Sequence, residues 1–184
     1  IHGVRTPLLP YHEHNAERMR PQLLARMAAG EAVALASDAG TPLISDPGFK
    51  LVREAAAAGL PIASLPGACA AIVALTLSGL PSDRFLFAGF PPAKQGARRS
   101  EFAELAALRA TLIFYESARR LPESLADMAF VFGDREIAVA RELTKLYEEV
   151  RRGGLAELAA HYAAAGPPKG EVVLVIGAPV EAAA

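Results

Sequence analysis

The run Ser37-Asp38-Ala39-Gly40-Thr41-Pro42-Leu43-Ile44-Ser45-Asp46-Pro47-Gly48 restricts the folds open to this chain more than any other segment. Apolar residues 32–36 precede it and read as a short buried strand; residues 49–58 follow it and read as a helix. Gly40 and Gly48 permit positive φ or a close backbone approach, and Pro42 and Pro47 stiffen the path. Long ordered loops in compact domains tend to be functional, with a plain two-turn connection as the alternative. A polar loop at the carboxyl end of a strand is where open α/β sheets place ligands. A second loop, Leu65-Pro66-Gly67-Ala68-Cys69-Ala70-Ala71, follows the strand candidate at 62–65 and leads into a helix over 68–78. Two such loops in one half of the chain suggest a floor and a wall for one small molecule.

The surrounding pattern alternates strand and helix. Residues 8–12 form a strand candidate, residues 17–29 a helix stopped by Gly30, and Gly59 stops the helix at 49–58. This alternation predicts a mostly parallel sheet in the first half. Ser78-Gly79-Leu80-Pro81-Ser82-Asp83 breaks both neighbouring patterns. It predicts an N-terminal α/β domain over 1–81 and a C-terminal α/β domain over 82–184. The second half reads as strands at 85–89, 111–115, 137–141, 148–151 and 172–176, with helices at 98–107, 122–130 and 155–164. Strands without intervening helices there predict a mixed sheet. The Ala-rich tail at 181–184 reads as a linker or truncation point.

Composition narrows the function classes. With 184 residues, 52% of them hydrophobic, the chain can bury a substantial core. A net charge of −1 excludes a generally basic nucleic-acid coat but not a local basic patch. One cysteine excludes an internal disulfide framework and fits a reducing compartment. No apolar run approaches the ~20 residues needed to span a bilayer, and Ile1-His2-Gly3-Val4-Arg5 does not open a signal peptide. A soluble, cytoplasmic protein is expected. A first residue other than Met is expected of a chain that begins inside a longer one.

Several residues carry chemistry. Asp38 is the first charged group after a strand and suits ligand hydroxyls or a cap on its own turn. Pro66-Gly67 and the small residues after it leave backbone N–H groups accessible at a helix start. Cys69 reads as a packing residue rather than a nucleophile, because no His stands in a partnering motif. His12 and His14 would share one strand face, but nothing at metal spacing completes a site, so no metal is expected. Walker A, G-x-S-x-G and G-x-G-x-x-G motifs are missing from the sequence. Tyr115-Glu116-Ser117-Ala118-Arg119-Arg120 and Arg141-Glu142-Leu143-Thr144-Lys145 each follow a strand. Both are cleft candidates, with solvated surface ion pairs as the alternative. Lys94, Arg98, Arg99, Arg119 and Arg120 form a basic set suited to phosphates, or a solvated face.

Six runs occur in a fixed order: S-D-A-G-T-P-L-I-S-D-P-G, P-G-A-C-A-A, G-L-P-S-D-R-F, T-L-I-F-Y-E-S, A-R-E-L-T-K and G-E-V-V-L-V-I-G. Together they resemble the bacterial 16S ribosomal RNA cytidine 2′-O-ribose methyltransferases of the tetrapyrrole methylase superfamily, over essentially residues 11–177. The resemblance implies a two-domain α/β fold that binds S-adenosylmethionine between its domains. It implies a homodimer acting on small-subunit ribosomal RNA. By similarity, Asp38, Ala39, Gly40, Thr41, Cys69, Ala70, Glu116 and Leu143 line the cofactor. A weakly nucleophilic 2′-hydroxyl needs a base or a nearby cation. This makes Glu116 or Glu142 the candidate for orienting or deprotonating it, and Lys145 or Arg141 for holding phosphate or the oxyanion. Lys94, Arg98, Arg99, Arg119, Arg120 and Arg141 are the candidate RNA contacts. Two other readings stand beside this one: a methyltransferase with a tetrapyrrole or other small-molecule acceptor, and a non-catalytic RNA-binding or dimerising module.

The sequence departs from the family in two ways. Position 68 is Ala where the family usually has Pro. The family also carries a strand, a Gly/Pro/Asn-rich loop and a second strand ahead of the point matching Ile1, and a small helical domain beyond Ala184. A true fragment without those strands is expected to have open sheet edges, impaired folding and no activity.

Overall fold

A computed structural model describes Gly3 and residues 5–179 of the chain. It divides into two compact units, residues 1–68 and residues 69–184. The tail at 181–184 lies outside the described residues.

The first unit is built on helices α1 (Glu13–Ala28) and α2 (Phe49–Ala57). Helix α1 starts earlier than its apolar pattern suggests, because the His12 N–H donates to Asn15 Oδ1 at 2.9 Å and the Asn15 amide donates to Pro10 O at 2.8 Å. That arrangement closes the first turn and turns residues 8–12 into an irregular lead-in. Leu23, Leu51 and Ala55 are buried, and Arg20 pairs with Glu54 at 2.7 Å. The parallel sheet expected in this half is not formed among the described residues. Segments 32–36 and 62–65 carry no strand pairing, and Ile62 and Leu65 are exposed. A strand is defined by ladder hydrogen bonds to a neighbour, and an apolar run supplies only the propensity for one.

The second unit holds helix α3 (Ala70–Ser78), then β1 (Phe85–Gly89), α4 (Gln95–Leu105), β2 (Thr111–Ser117), α5 (Leu121–Phe132), β3 (Glu136–Arg141), β4 (Glu149–Gly154), α6 (Leu155–Ala165) and β5 (Glu171–Ile176). The strands form one mixed sheet in the order β1-β2-β5-β3-β4, with only β1 and β2 parallel. Pro122 at the start of α5 fits a position whose N–H is unpaired anyway. Helix α3 belongs to this unit, ahead of the Gly79–Pro81 break that suggested a domain boundary.

Period-two alternation decides which side each strand residue faces. Leu112, Phe114, Ile137, Val139, Val172, Leu174 and Ile176 face a large core shared with Phe102, Leu125, Met128, Leu155 and Tyr162 of α4, α5 and α6. Ile113, Ala138, Ala140, Val173 and Val175 face the other way, onto Ala71, Ala74 and Leu75 of α3. Small residues on both partners let α3 lie close to the sheet. No helix among the described residues is long and apolar enough to cross a membrane.

Candidate active site

Four non-glycine residues take positive φ among those described: Leu43 at 72°, Ser45 at 58°, Glu142 at 50° and Thr144 at 63°. All four fall in the two loops with the densest polar punctuation, 37–48 and 142–145. Such backbone costs of the order of 1–3 kcal/mol per residue and clusters at functional sites.

In the first unit, loop 37–48 is held by its own side chains. Ser37 Oγ donates within the loop, at 2.5 Å from Asp46 Oδ2 and 2.7 Å from Ala39 O. Thr41 Oγ1 donates to Ala68 O at 2.8 Å, and a Cβ on Gly40 would lie 3.7 Å from the same oxygen. The two Gly/Pro loops of the first half are therefore brought together, as their shared chemistry suggested. Asp38, Ala39 and Gly40 are exposed around this junction. Among the described residues no group of three or more His, Cys, Asp or Glu side chains could hold a metal ion.

In the second unit, Cys69 caps α3 with extended backbone and Ala70 opens the helix. Cys69, Tyr115 and Leu143 pack on the same side of the sheet, against the α3 cluster. Tyr115 opens the cleft-candidate run 115–120, and its individual role comes only from the structure. Its hydroxyl accepts the Ala71 N–H at 3.2 Å, and its ring meets Phe87 and Phe90 edge-on at 4.7 and 5.5 Å. It thus ties the carboxyl end of β2 to the amino end of α3. Alternation along Thr111–Ser117 gives its face, since Tyr115 shares one with Ile113 and Glu116 does not.

Glu116 is a correction to the sequence reading. Its side chain points to the α5 side and is buried. The carboxylate accepts the Ser117 N–H at 2.7 Å, Arg120 Nε at 2.8 Å, and Ser124 Oγ. A carboxylate that is 2% exposed and tied to Ser117, Arg120 and Ser124 is withdrawn from a substrate hydroxyl, so Glu116 positions the β2–α5 turn instead. Arg120, tied to Glu116 and also donating to Pro91 O at 3.3 Å, belongs to the same turn.

Arg98 is the second correction. It is 1% exposed, and its Nε lies 2.7 Å from Asp127 Oδ2. Arg99 Nε donates to the other oxygen at 2.6 Å and stacks over the Phe130 ring at 4.2 Å. Burial takes Arg98 out of the candidate RNA contacts. Lys94 and Arg119 are exposed.

At the end of β3 the chain builds a compact charge cluster. Lys145 Nζ lies 3.0 Å from Glu142 Oε1 and 2.8 Å from Glu171 Oε2. Glu142 Oε1 also accepts the Glu171 N–H at 2.9 Å, and the Glu142 N–H donates to Glu171 O at 3.0 Å. Gly170 makes room for this: at φ 100°, a Cβ there would collide with the Glu142 carboxyl group. The Glu171 N–H, then Lys145, hold the Glu142 carboxyl below its usual range. Hydrogen bonds to Glu171 and Glu142 hold the Lys145 ammonium above its own. Lys145 is therefore a fixed cation at neutral pH and Glu142 a weak base. Arg141 bonds Glu149 Oε2 at 3.0 Å and Lys169 O at 3.1 Å. Strand register puts Arg141 opposite Val172, itself opposite Glu116, so the carboxyl ends of β2 and β3 and the amino end of β5 meet at one end of the sheet.

Removing only the Tyr115 hydroxyl should leave the fold intact and loosen the start of α3. Tyr115→Phe is expected to cost about 1 kcal/mol, read as a lower urea midpoint at unchanged slope.

Comparison with known proteins gives three kinds of match. The family model described as Tetrapyrrole (Corrin/Porphyrin) Methylases matches residues 3–159. A protein of Mesorhizobium japonicum named "Ribosomal RNA small subunit methyltransferase I" is 54% identical over all of this chain and 62% of its own length. One of Xylella fastidiosa with the same name is 51% identical over 95% of this chain and 64% of its length. The chain thus spans less than two thirds of the length of these relatives. Among solved structures, the methyltransferase CobJ superposes with a TM-score of 0.66 at 19% identity, over 94% of this chain and 74% of that one. A uroporphyrin-III C-methyl transferase from Thermus thermophilus, complexed with S-adenyl homocysteine, superposes with a TM-score of 0.57 at 18% identity, over 91% of this chain and 75% of that one. At these identities the structural likeness speaks to fold alone.

Proposed function

This chain belongs to the tetrapyrrole (corrin/porphyrin) methylase family, and on that premise we propose that it carries the core of an S-adenosylmethionine-dependent methyltransferase acting on small-subunit ribosomal RNA. The finer reading is transfer to a cytidine ribose 2′-hydroxyl, by a cytoplasmic homodimer. The observation that carries the proposal is the 54% identity along the entire chain to a relative bearing the ribosomal RNA methyltransferase name. A tetrapyrrole acceptor draws on the description of the family model and on fold-level likeness, and the 54% identity to a ribosomal RNA methyltransferase by name weighs against it.

The residues fit the cofactor. Ala39, Gly40, Cys69 and Ala70 are small and leave main-chain polar groups within reach, and Asp38 offers an exposed carboxylate to ribose hydroxyls. We propose Asp38, Ala39, Gly40 and Thr41 as cofactor contacts on the first unit's loop, and Cys69, Ala70 and Leu143 as cofactor contacts within the second unit. Bound S-adenosylmethionine would supply an already activated methyl group. Positioning is then the protein's main task, worth up to about 7–11 kcal/mol.

Lys145 is the residue we assign to the acceptor. Its ammonium, held by two carboxylates, would stabilise phosphate or the developing oxyanion of the hydroxyl, whose proton leaves to solvent water. Glu142 orients Lys145 through Oε1 rather than removing a proton, because its carboxyl is held low. Lys94, Arg99, Arg119 and Arg141 are the basic side chains we assign to RNA contacts.

Two measurements test this reading. Calorimetry with S-adenosylmethionine should give saturable binding that Asp38→Ala weakens. Small ribosomal subunits given labelled cofactor should acquire label on a ribose, whereas a porphyrinoid acceptor should not. Cofactor binding without transfer to RNA would refute the acceptor; no cofactor binding would leave only a non-catalytic module.

A further inference from the structure

A second site lies on the opposite side of the sheet from α3, where the start of β4, the end of α6 and the turn after it enclose a groove of about 370 Å³. Its chemistry comes from Arg141, Glu149, Arg151, His161, Tyr162 and Lys169, and Pro167 and Pro168 stiffen its wall. We infer that this groove seats the phosphodiester backbone of a single-stranded RNA segment, with His161 at its rim stacking on a base. The inference rests on the RNA-acceptor reading above and adds a docking site to it.

Three cations face one carboxylate in the groove. Glu149 is clamped by Arg141 at 3.0 Å and by Arg151 at 2.9 Å, so its single charge is shared between two guanidinium groups. Lys169 is exposed and makes no ion pair among the described residues. The surplus of positive charge is local, since the chain as a whole carries a net charge of −1. A cationic groove that tracks a backbone, with an exposed ring for a base, is the recurring design for single-stranded nucleic acid. His161 is exposed and meets the buried Tyr162 ring edge-on at 4.9 Å, which leaves the imidazole face open to a base. The volume falls at the small-ligand end of binding pockets and gives room for a nucleotide-sized segment. An acidic peptide would use the cations but leave the ring without a partner.

The test is fluorescence anisotropy with a labelled single-stranded oligoribonucleotide of small-subunit sequence, across a salt series, with heparin as competitor and S-adenosylmethionine calorimetry in parallel. Lys169→Glu and His161→Ala are both exposed changes that leave the core untouched. Lys169→Glu is expected to weaken RNA binding about tenfold and reduce the salt slope by about 1. His161→Ala should weaken binding several-fold at every salt concentration without changing the slope. Cofactor affinity should not move in either variant. Wild-type RNA affinity in both variants overturns the groove and leaves the methyltransferase reading standing. A loss in Lys169→Glu alone, with heparin competing as well as RNA, overturns RNA recognition in favour of a general anion patch. A wild-type chain that binds cofactor but no RNA overturns the groove and the RNA acceptor together, and one that binds neither overturns the methyltransferase reading as well.

Discussion

Replacing Asp127 with Ala is expected to destabilise the second unit by about 3–5 kcal/mol, read as a lower urea midpoint and melting temperature. Asp127 is fully buried on α5, and its two oxygens receive Arg98 and Arg99 from α4. Removing the carboxylate leaves Arg98 at 1% exposure with its main partner gone, and an uncompensated buried charge costs more than the intact pair contributes. The control is the double change Arg98→Met with Asp127→Leu, which should recover most of the loss, because the packing survives and no charge is stranded. A double variant no more stable than Asp127→Ala would show that packing, not charge, is at stake.

The same pair sets an acid limb. Burial alone would raise the Asp127 carboxyl, but hydrogen bonds and charge from Arg99 and Arg98 outweigh it and hold the group below its ordinary range. A carboxyl lower in the folded than in the unfolded state contributes its stability above its unfolded value, about 4, and loses it as pH falls through the lower folded one. Glu142 and Glu149 shift in the same direction. Urea midpoints should therefore hold from pH 7 to about 5 and fall below about 4. Asp127→Asn should flatten that fall; an unchanged acid limb would remove Asp127 from the account.

Replacing Lys145 with Ala in the enzyme form that methylates RNA is expected to lower kcat by about 10²–10³ with little change in cofactor affinity. The ammonium is the one fixed cation of the strained β3–β4 loop, and its two carboxylate partners hold it charged. Gly170→Ala probes the same cluster from beneath. A side chain there collides with the Glu142 carboxyl group and is strained at the φ that residue 170 adopts, so Glu142 must shift beneath Lys145. The loss should approach that of Lys145→Ala although residue 170 would touch no substrate, since displacements of about 1 Å are worth about a hundredfold. Wild-type turnover in Lys145→Ala would end the assignment. Full activity in Gly170→Ala would show that Glu142 does not position Lys145.

Much of this was legible along the chain. The strands and helices of the second unit fall within a few residues of their sequence patterns, because alternation, helical period and Gly or Pro stops are local signals. Both strained loops were marked by polar residues that follow apolar runs. The face of Tyr115 is legible from its alternation with Ile113, whereas its bond to Ala71 is not, because α3 lies 44 positions away. The charge cluster at β3 was half legible: A-R-E-L-T-K supplied Glu142 and Lys145, but nothing nearby announced Glu171 as their partner. Two misreadings share one cause. Charge alone reads Arg98 and Glu116 as surface or cleft groups, whereas the fold pairs Arg98 with the buried Asp127 of α5 and Glu116 with Arg120, at the start of that helix.

The sequence alone determined the kinds of element, their order, and the two loops that carry backbone strain, because those depend on residues a few positions apart. Tertiary structure decided the sheet order β1-β2-β5-β3-β4, the burial of Arg98 against Asp127 across 29 positions, and the capture of Lys145 by Glu171 across 26. A charged side chain is solvated or paired according to what the fold places opposite it. That neighbour is chosen by how the whole chain closes on itself, not by the residues beside it.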